Sequence, residues 1–177
     1  MKIRVSGIVV VALIVLAVSA VAQEKKPLSP PATVSVTFAD GKTVTINYSQ
    51  PSMRGRKIFG GLVPYDQVWR TGANAATSLK TDANLTISGT AVPAGNYTLY
   101  TIPGENNWTL IVNKQTGQWG TKYSQGQDLA RIPMKVTARP SGLETFTISF
   151  DKTGSDTAML RLEWENTIAS VVVKEQK

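Results

Sequence analysis

Four basic and three aromatic side chains are concentrated in a short part of the sequence. Between positions 54 and 70 lie Arg54, Arg56, Lys57, Phe59, Tyr65, Trp69 and Arg70. A guanidinium donates paired hydrogen bonds to carboxylate, phosphate or sulfate, and an aromatic face stacks on a sugar ring or a flat apolar group. We therefore predict a binding site for an anionic or polyhydroxyl ligand, formed by Arg54, Arg56, Tyr65, Trp69, Arg70 and Asn74. Arg70, supported by Arg54 or Arg56, would clamp the ligand while Trp69 or Tyr65 stacks beside it.

The segment that carries these residues also has a structural interpretation. Residues 49–76 are the longest stretch without strand alternation, and long connections in compact domains are often functional. Such a loop can instead close one end of a hydrophobic core, with its arginines bonded to loop carbonyls. The apolar residues that would fill the core are Phe59, Leu62, Val63, Tyr65 and Trp69. The sequence leaves both interpretations open.

The absence of Cys and His excludes many kinds of catalytic and metal site. The chain has neither residue, so it has no disulfide, no thiolate nucleophile, no Ser-His-Asp triad and no His-ligated metal. We expect no cofactor and no metal. A glycosidase-like hydrolase needs only two carboxyl groups, so this class of enzyme stays open. The candidate acids are Asp66, Asp128, Asp151, Asp156, Glu163 and Glu165. Glu163 and Glu165 are two positions apart on a predicted strand and should face the same side.

Alternation of polar and apolar residues predicts strands along most of the chain. Residues 33–38 and 43–48 alternate, and Asp40-Gly41 between them predicts a tight hairpin with positive φ at both turn positions. Further alternating segments are 78–81, 85–88, 96–102, 108–113, 134–139, 145–150, 158–164 and 168–173. Turn residues such as Pro140-Ser141-Gly142 separate many of them. We predict an all-β fold, a single antiparallel β-sandwich or jelly-roll-like domain of about ten short strands over residues 32–177. Tyr97 should brace a corner by bonding its hydroxyl to the backbone.

The N-terminal residues have the pattern of a secretory signal peptide. Lys2 and Arg4 precede an apolar run over 8–18, and small residues follow at 20–22. We predict cleavage after residue 22, a flexible, Pro-containing leader over 23–31, and export to the periplasm or the medium. The apolar run is too short to span a bilayer, so no membrane span should remain after cleavage. The positive charge is moderate and scattered, which argues against nucleic acid as a partner.

Several strings of residues resemble a known bacterial family. These are residues 54–65 (RGRKIFGGLVPY), 68–74 (VWRTGAN) and 93–103 (PAGNYTLYTIP), together with Trp108, Asn113, Trp119-Gly120, Tyr123 and Asp128. Over roughly residues 28–173 the chain resembles the family catalogued as domain of unknown function 2911. The resemblance implies an exported, β-rich domain and no assigned activity. A Gly often follows the family's Val-Pro-Tyr string, where this chain has Asp66, and that departure argues against a tight turn at position 66.

Three classes of function are therefore compatible with the sequence. The first is a non-catalytic binding or interaction module whose partner is a small anionic or carbohydrate ligand or a cell-envelope protein. The second is the carboxylate-dependent hydrolase, and the third is a structural subunit of an envelope assembly that offers its strand edges to a partner. The composition of residues 49–76 favours the binding module.

Overall fold

The computed structural model describes residues 27–177. The predicted signal peptide at 1–22 and residues 23–26 of the predicted leader lie outside the described residues. Within the described part, residues 27–30 precede the first strand, which begins at Pro31. Among these residues, no helix is long and apolar enough to cross a membrane.

The described residues form one antiparallel sheet of nine strands, which is not closed into a barrel. The strands are β1 (Pro31–Thr37), β2 (Thr43–Ser49), β3 (Thr77–Thr81), β4 (Leu85–Ile87), β5 (Thr90–Val92), β6 (Gly95–Pro103), β7 (Trp108–Asn113), β8 (Asp128–Lys152) and β9 (Thr157–Glu175). Their order in the sheet is β1-β2-β3-β6-β7-β8-β9-β4-β5. A short 3₁₀ helix, Gln125–Gln127, precedes β8. The predicted all-β fold class is confirmed.

The sheet folds over a single hydrophobic core, which gives it the character of a sandwich. β1 and β8 are not neighbours in the sheet, yet Lys152 Nζ donates to Thr37 O at 2.8 Å. A second bond joins β8 to β2, which is also not its neighbour in the sheet: the Ile148 amide donates to the Tyr48 hydroxyl at 3.0 Å. Buried side chains from both ends of the strand order belong to one core cluster. Apolar burial of this kind is the main force that closes the two layers.

The first hairpin shows how alternation sets the register. In β2 the side chains of Val44, Ile46 and Tyr48 are buried, as the period-two pattern predicts. The turn differs from the prediction, because Gly41 has a φ of 88° and Asp40 does not have a positive φ. The Phe38 amide donates to Lys42 O at 2.9 Å, so three residues form the loop. This geometry is that of a three-residue hairpin that ends in a left-handed glycine.

Two pairs of predicted strands are continuous in the structure. β8 runs through the predicted turn at 140–142, and β9 joins the segments 158–164 and 168–173. The β8–β9 register shifts between Ala138 and Leu143 and again between Leu143 and Thr147. Where the hydrogen bonds between two strands are interrupted in this way, a strand can contain proline and residues that have no partner on the neighbouring strand. The turn residues at 140–142 therefore lie at an interruption within a long strand. The two mergers reduce the ten predicted strands to eight, and β5, which the alternation did not predict, brings the number to nine.

Position 66 does make a tight turn, contrary to the expectation from its departure from the family pattern. Asp66 has a φ of 58°, in the left-handed region. Aspartate tolerates this conformation better than most side chains, because it is short and polar. The turn places the Asp66 amide where it donates to Pro103 O at 2.8 Å, which ties the loop to the end of β6.

Candidate functional site

A cleft of about 720 Å³ opens beside the long connection between β2 and β3. Its volume lies within the range of small-molecule sites. It is lined by Leu28, Ser29, Pro51, Arg56, Leu62, Val63, Val68, Trp69, Arg70, Gly72, Ala73, Asn74, Tyr100, Gly120, Thr121, Tyr123 and Trp164. Two arginines are in this lining, and no aspartate or glutamate is. The cleft is therefore positively charged.

Trp69 connects the cleft to the hydrophobic core. Its amide donates to Thr101 O at 2.7 Å and its carbonyl accepts from the Thr101 amide at 2.9 Å, so it pairs with β6 beyond the end of β3. Its indole stacks on Trp164 with ring centroids 5.9 Å apart and planes 19° apart. The indole also packs edge to face against Phe146, Trp108 and Phe59, with ring centroids 5.0–6.3 Å apart. We call these five residues the aromatic cluster. Trp69 is thus a fixed wall of the cleft and part of the core.

Arg70 is the cation of the cleft that the protein itself leaves unpaired. Within residues 27–177 it forms no ion pair, and its Nε is buried without a hydrogen-bond partner. Its aliphatic stem lies on Gly120, where a Cβ atom would come within 2.5 Å of Arg70 Cδ. A glycine at position 120 therefore permits the stem to lie in this position, with the guanidinium at the cleft.

The other two predicted arginines are occupied by backbone carbonyls. Arg54 Nη2 donates to Leu28 O at 2.7 Å, and Arg54 does not line the cleft. Arg56 lines the cleft, but its Nε donates to Met53 O at 2.8 Å and its Nη2 to Ser52 O at 2.7 Å. These bonds are those of the structural interpretation of the loop. Because two of its donors are used in this way, Arg56 contributes mainly its positive charge to the cleft.

The two remaining predicted residues differ in position. Asn74 lines the cleft, and its Nδ2 donates to Ser29 O at 3.4 Å. Tyr65 does not line the cleft and packs against the core, with its ring so close to Gly60 that a Cβ there would lie 2.6 Å from Tyr65 Cε2. The cleft therefore brings together Arg56, Trp69, Arg70 and Asn74, and it leaves Arg54 and Tyr65 outside.

Tyr100 and Tyr123 form a wall that sequence reasoning did not assign to the site. Their rings meet edge to face at 5.0 Å. The Tyr123 hydroxyl donates to Asp128 Oδ2 at 2.7 Å and accepts from Arg131 Nη2 at 2.8 Å. Burial, with the Asp128 hydrogen bond, raises the pKa of Tyr123, so the ring stays neutral. The resemblance includes Tyr123 and Asp128, but no local pattern places them beside Arg70.

None of the six acids considered for hydrolysis is in the lining of the cleft. Asp128 comes nearest, because it accepts from the hydroxyl of Tyr123, which lines the cleft. Glu163 accepts from Arg139 at 3.1 Å, and Asp151 accepts from Arg161 at 2.8 Å. Glu165, with a φ of 53° at the β8–β9 register shift, accepts from the amides of residues 58 and 59 at 3.4 and 3.3 Å. Glu163 and Glu165 therefore have different partners. Within the described residues, no group of three or more acidic side chains could hold a metal ion.

Comparison with known proteins places the chain in a family. No curated protein and no solved structure matches it significantly. Residues 29–173 match the family model described as "Protein of unknown function (DUF2911)". This match covers most of the chain, including every strand except the last residues of β9. The chain therefore belongs to the DUF2911 family.

Proposed function

We propose that this protein is an exported, non-catalytic binding module that holds a small anionic or polyhydroxyl ligand in the cleft. The observation that carries the proposal is Arg70, a cation with a buried, unpartnered Nε in a cleft whose lining has no carboxylate. The basic start, apolar run and small residues of positions 1–22 support export.

An unpaired guanidinium beside an apolar wall favours the binding of an anion. Removing a charged group from water without a partner is costly, so a partly buried cation is best satisfied by an opposite charge. Hydrogen bonds between ionised partners contribute about 1.5–3 kcal/mol each, more than neutral ones. The Trp69 and Trp164 rings exclude water from one side of the cleft and strengthen this attraction.

The chemistry of the lining supports binding over turnover. The cleft has no carboxylate, and the chain has no Cys or His. Tyr123 is held neutral by its surroundings. These side chains offer no general base or nucleophile suited to neutral pH. No observation in the described residues favours the hydrolase or the structural subunit over the binding module.

The test compares Arg70→Met with Arg161→Met by calorimetry. Methionine keeps an aliphatic stem on Gly120 and removes the charge. Arg161 lies outside the lining and pairs with Asp151, so its replacement changes the net charge equally. The probes are inorganic phosphate, glucuronate and octanoate. We expect wild type to bind at least one of them, Arg70→Met to weaken that binding at least about tenfold, and Arg161→Met to leave it within about twofold.

A thermal melt of each variant separates loss of binding from loss of fold. If Arg70→Met melts like wild type and binds the same probe equally well, the assignment of Arg70 is wrong. Arg70→Lys is the second variant, because it keeps the charge without the planar fork and should bind with intermediate affinity. Binding that is lost equally in Arg70→Lys and Arg161→Met would contradict a specific role for position 70.

A further inference from the structure

Exposed apolar side chains are concentrated around the cleft. Leu28 is 71% exposed, Leu62 47% and Val68 38%, and all three line the cleft. They are half of the large hydrophobic side chains that are exposed in residues 27–177. Single exposed apolar residues are ordinary, whereas a group around a concave site indicates a surface that a ligand covers.

Three polar groups of the cleft that could bind sugar hydroxyls already have partners. The Tyr123 hydroxyl is bonded to Asp128 and Arg131. The Tyr100 hydroxyl donates to a backbone carbonyl at 3.1 Å and accepts from a glutamine amide at 3.1 Å. Asn74 Nδ2 donates to Ser29 O. A polyhydroxyl ligand would need new hydrogen bonds at many positions, and these groups are already bonded within the protein.

The charge, in contrast, is localised at one place. Arg70 has a buried Nε without a hydrogen-bond partner, and Arg56 adds a second positive charge whose donors are partly occupied. Around them, the lining is formed largely by aliphatic and aromatic side chains. A ligand that is complementary to this surface has one anionic group and an apolar body.

We infer that the ligand is a small amphiphilic acid, a carboxylate carried on an aliphatic chain and free in solution. This inference rests on the proposed function. The carboxylate accepts hydrogen bonds from Arg70. The chain lies against the Trp69 ring and between Leu62 and Val68, where it covers the exposed apolar groups of the rim.

The experiment measures Kd by calorimetry for butanoate, hexanoate, octanoate and decanoate, each below its micellar concentration. Burial of a methylene group predicts that affinity rises roughly two- to fourfold per added carbon until the cleft is filled. Octanamide, which has the same chain without the charge, should bind at least about tenfold more weakly than octanoate.

Two further variants test the apolar rim without disturbing the core. Leu62→Ser removes a side chain that is half exposed, and it should reduce the gain per methylene. Leu129→Ser is the matched control, because Leu129 is 37% exposed and does not line the cleft. It should leave the whole series unchanged.

Each result bears on the inference in a defined way. Affinity that rises with chain length, falls in Arg70→Met and becomes less dependent on length in Leu62→Ser supports it. If glucuronate or phosphate binds through Arg70 and the alkanoates show no length dependence, the amphiphile is wrong and the anion-binding function stands. If no anion binds in an Arg70-dependent way, both are wrong.

Discussion

Replacing Gly120 with alanine should destabilise the protein, because position 120 has no room for a side chain. A Cβ there would lie 2.5 Å from Arg70 Cδ and 2.8 Å from the Asn74 carbonyl oxygen. Ordinary van der Waals contact begins near 3.4 Å, so both neighbours would have to move by more than half an ångström. The arginine stem can move, but the carbonyl also accepts from the Gly120 amide at 3.1 Å, and that bond would be strained.

Overpacking of this kind typically costs about 1–3 kcal/mol of unfolding free energy. For a chain of this size a loss of 1 kcal/mol lowers the melting temperature by about 2–4 °C, so the variant should melt roughly 2–12 °C below wild type. Since the displaced atoms belong to Arg70 and Asn74, the same substitution should also weaken binding of the best probe anion.

The control is Gly126→Ala, in the 3₁₀ helix. A Cβ at position 126 would meet nothing within 4 Å, and Gly126 does not have a positive φ. Restriction of the unfolded chain should then stabilise this variant by about 0.4–1 kcal/mol. Urea unfolding followed by tryptophan fluorescence measures both variants. If Gly120→Ala is as stable as Gly126→Ala, the stem of Arg70 does not lie on residue 120 and the geometry of the cleft is wrong.

Three other substitutions test the core, a corner and the response to acid. Trp69→Ala should lower the unfolding free energy by about 3 kcal/mol, measured by urea unfolding, because the aromatic cluster loses its central ring. Tyr97→Phe should cost about 1 kcal/mol in the same assay, because it removes the 2.9 Å hydrogen bond from the hydroxyl to Pro93 O. Asp40→Asn should flatten the loss of stability in acid. The side-chain hydrogen bond from Lys42 lowers the pKa of Asp40 to about 2, so its contribution is present above pH 4 and is lost as the pH falls towards 2.

Each of these expectations can be contradicted by one comparison. A Trp69→Ala variant that unfolds like wild type would mean that the loop does not complete the core. A Tyr97→Phe variant of wild-type stability would mean that the hydroxyl bond contributes nothing. If wild type and Asp40→Asn show the same slope of unfolding free energy between pH 4 and 2, the Asp40–Lys42 pair does not contribute to acid stability.

Local patterns predicted the strands well, because the alternation that indicates a strand and the backbone geometry of the strand both depend on neighbouring residues. A side chain in a strand points to the face opposite its neighbour's, so Val44, Ile46 and Tyr48 can be assigned to the core from spacing alone. The Tyr97 corner was equally local, since its hydroxyl reaches a carbonyl only four residues away. Both predictions are confirmed.

Predictions failed where a partner strand overrides local preference. The residues 140–142 favour a turn, but β8 continues past them because β9 holds it on both sides of the register shift. Asp66 is not a glycine and still adopts a left-handed conformation, with its amide bonded to Pro103 O. In both places, hydrogen bonds to a distant segment stabilise a backbone that the local sequence does not favour.

The sequence by itself determined that the chain is a β-rich domain with a cationic, aromatic connection over residues 49–76. It could not tell the arginines of that connection apart, because Arg54, Arg56 and Arg70 have the same chemistry. The tertiary structure distinguishes them. Backbone carbonyls accept hydrogen bonds from Arg54 and Arg56, whereas Arg70 lies over Gly120 with its Nε unpartnered. A carbonyl 26 residues away occupies Arg54, and the folded loop brings the nearby carbonyls of Ser52 and Met53 to Arg56. Because these bonds use the donors of Arg54 and Arg56, Arg70 is the arginine that remains available to a ligand.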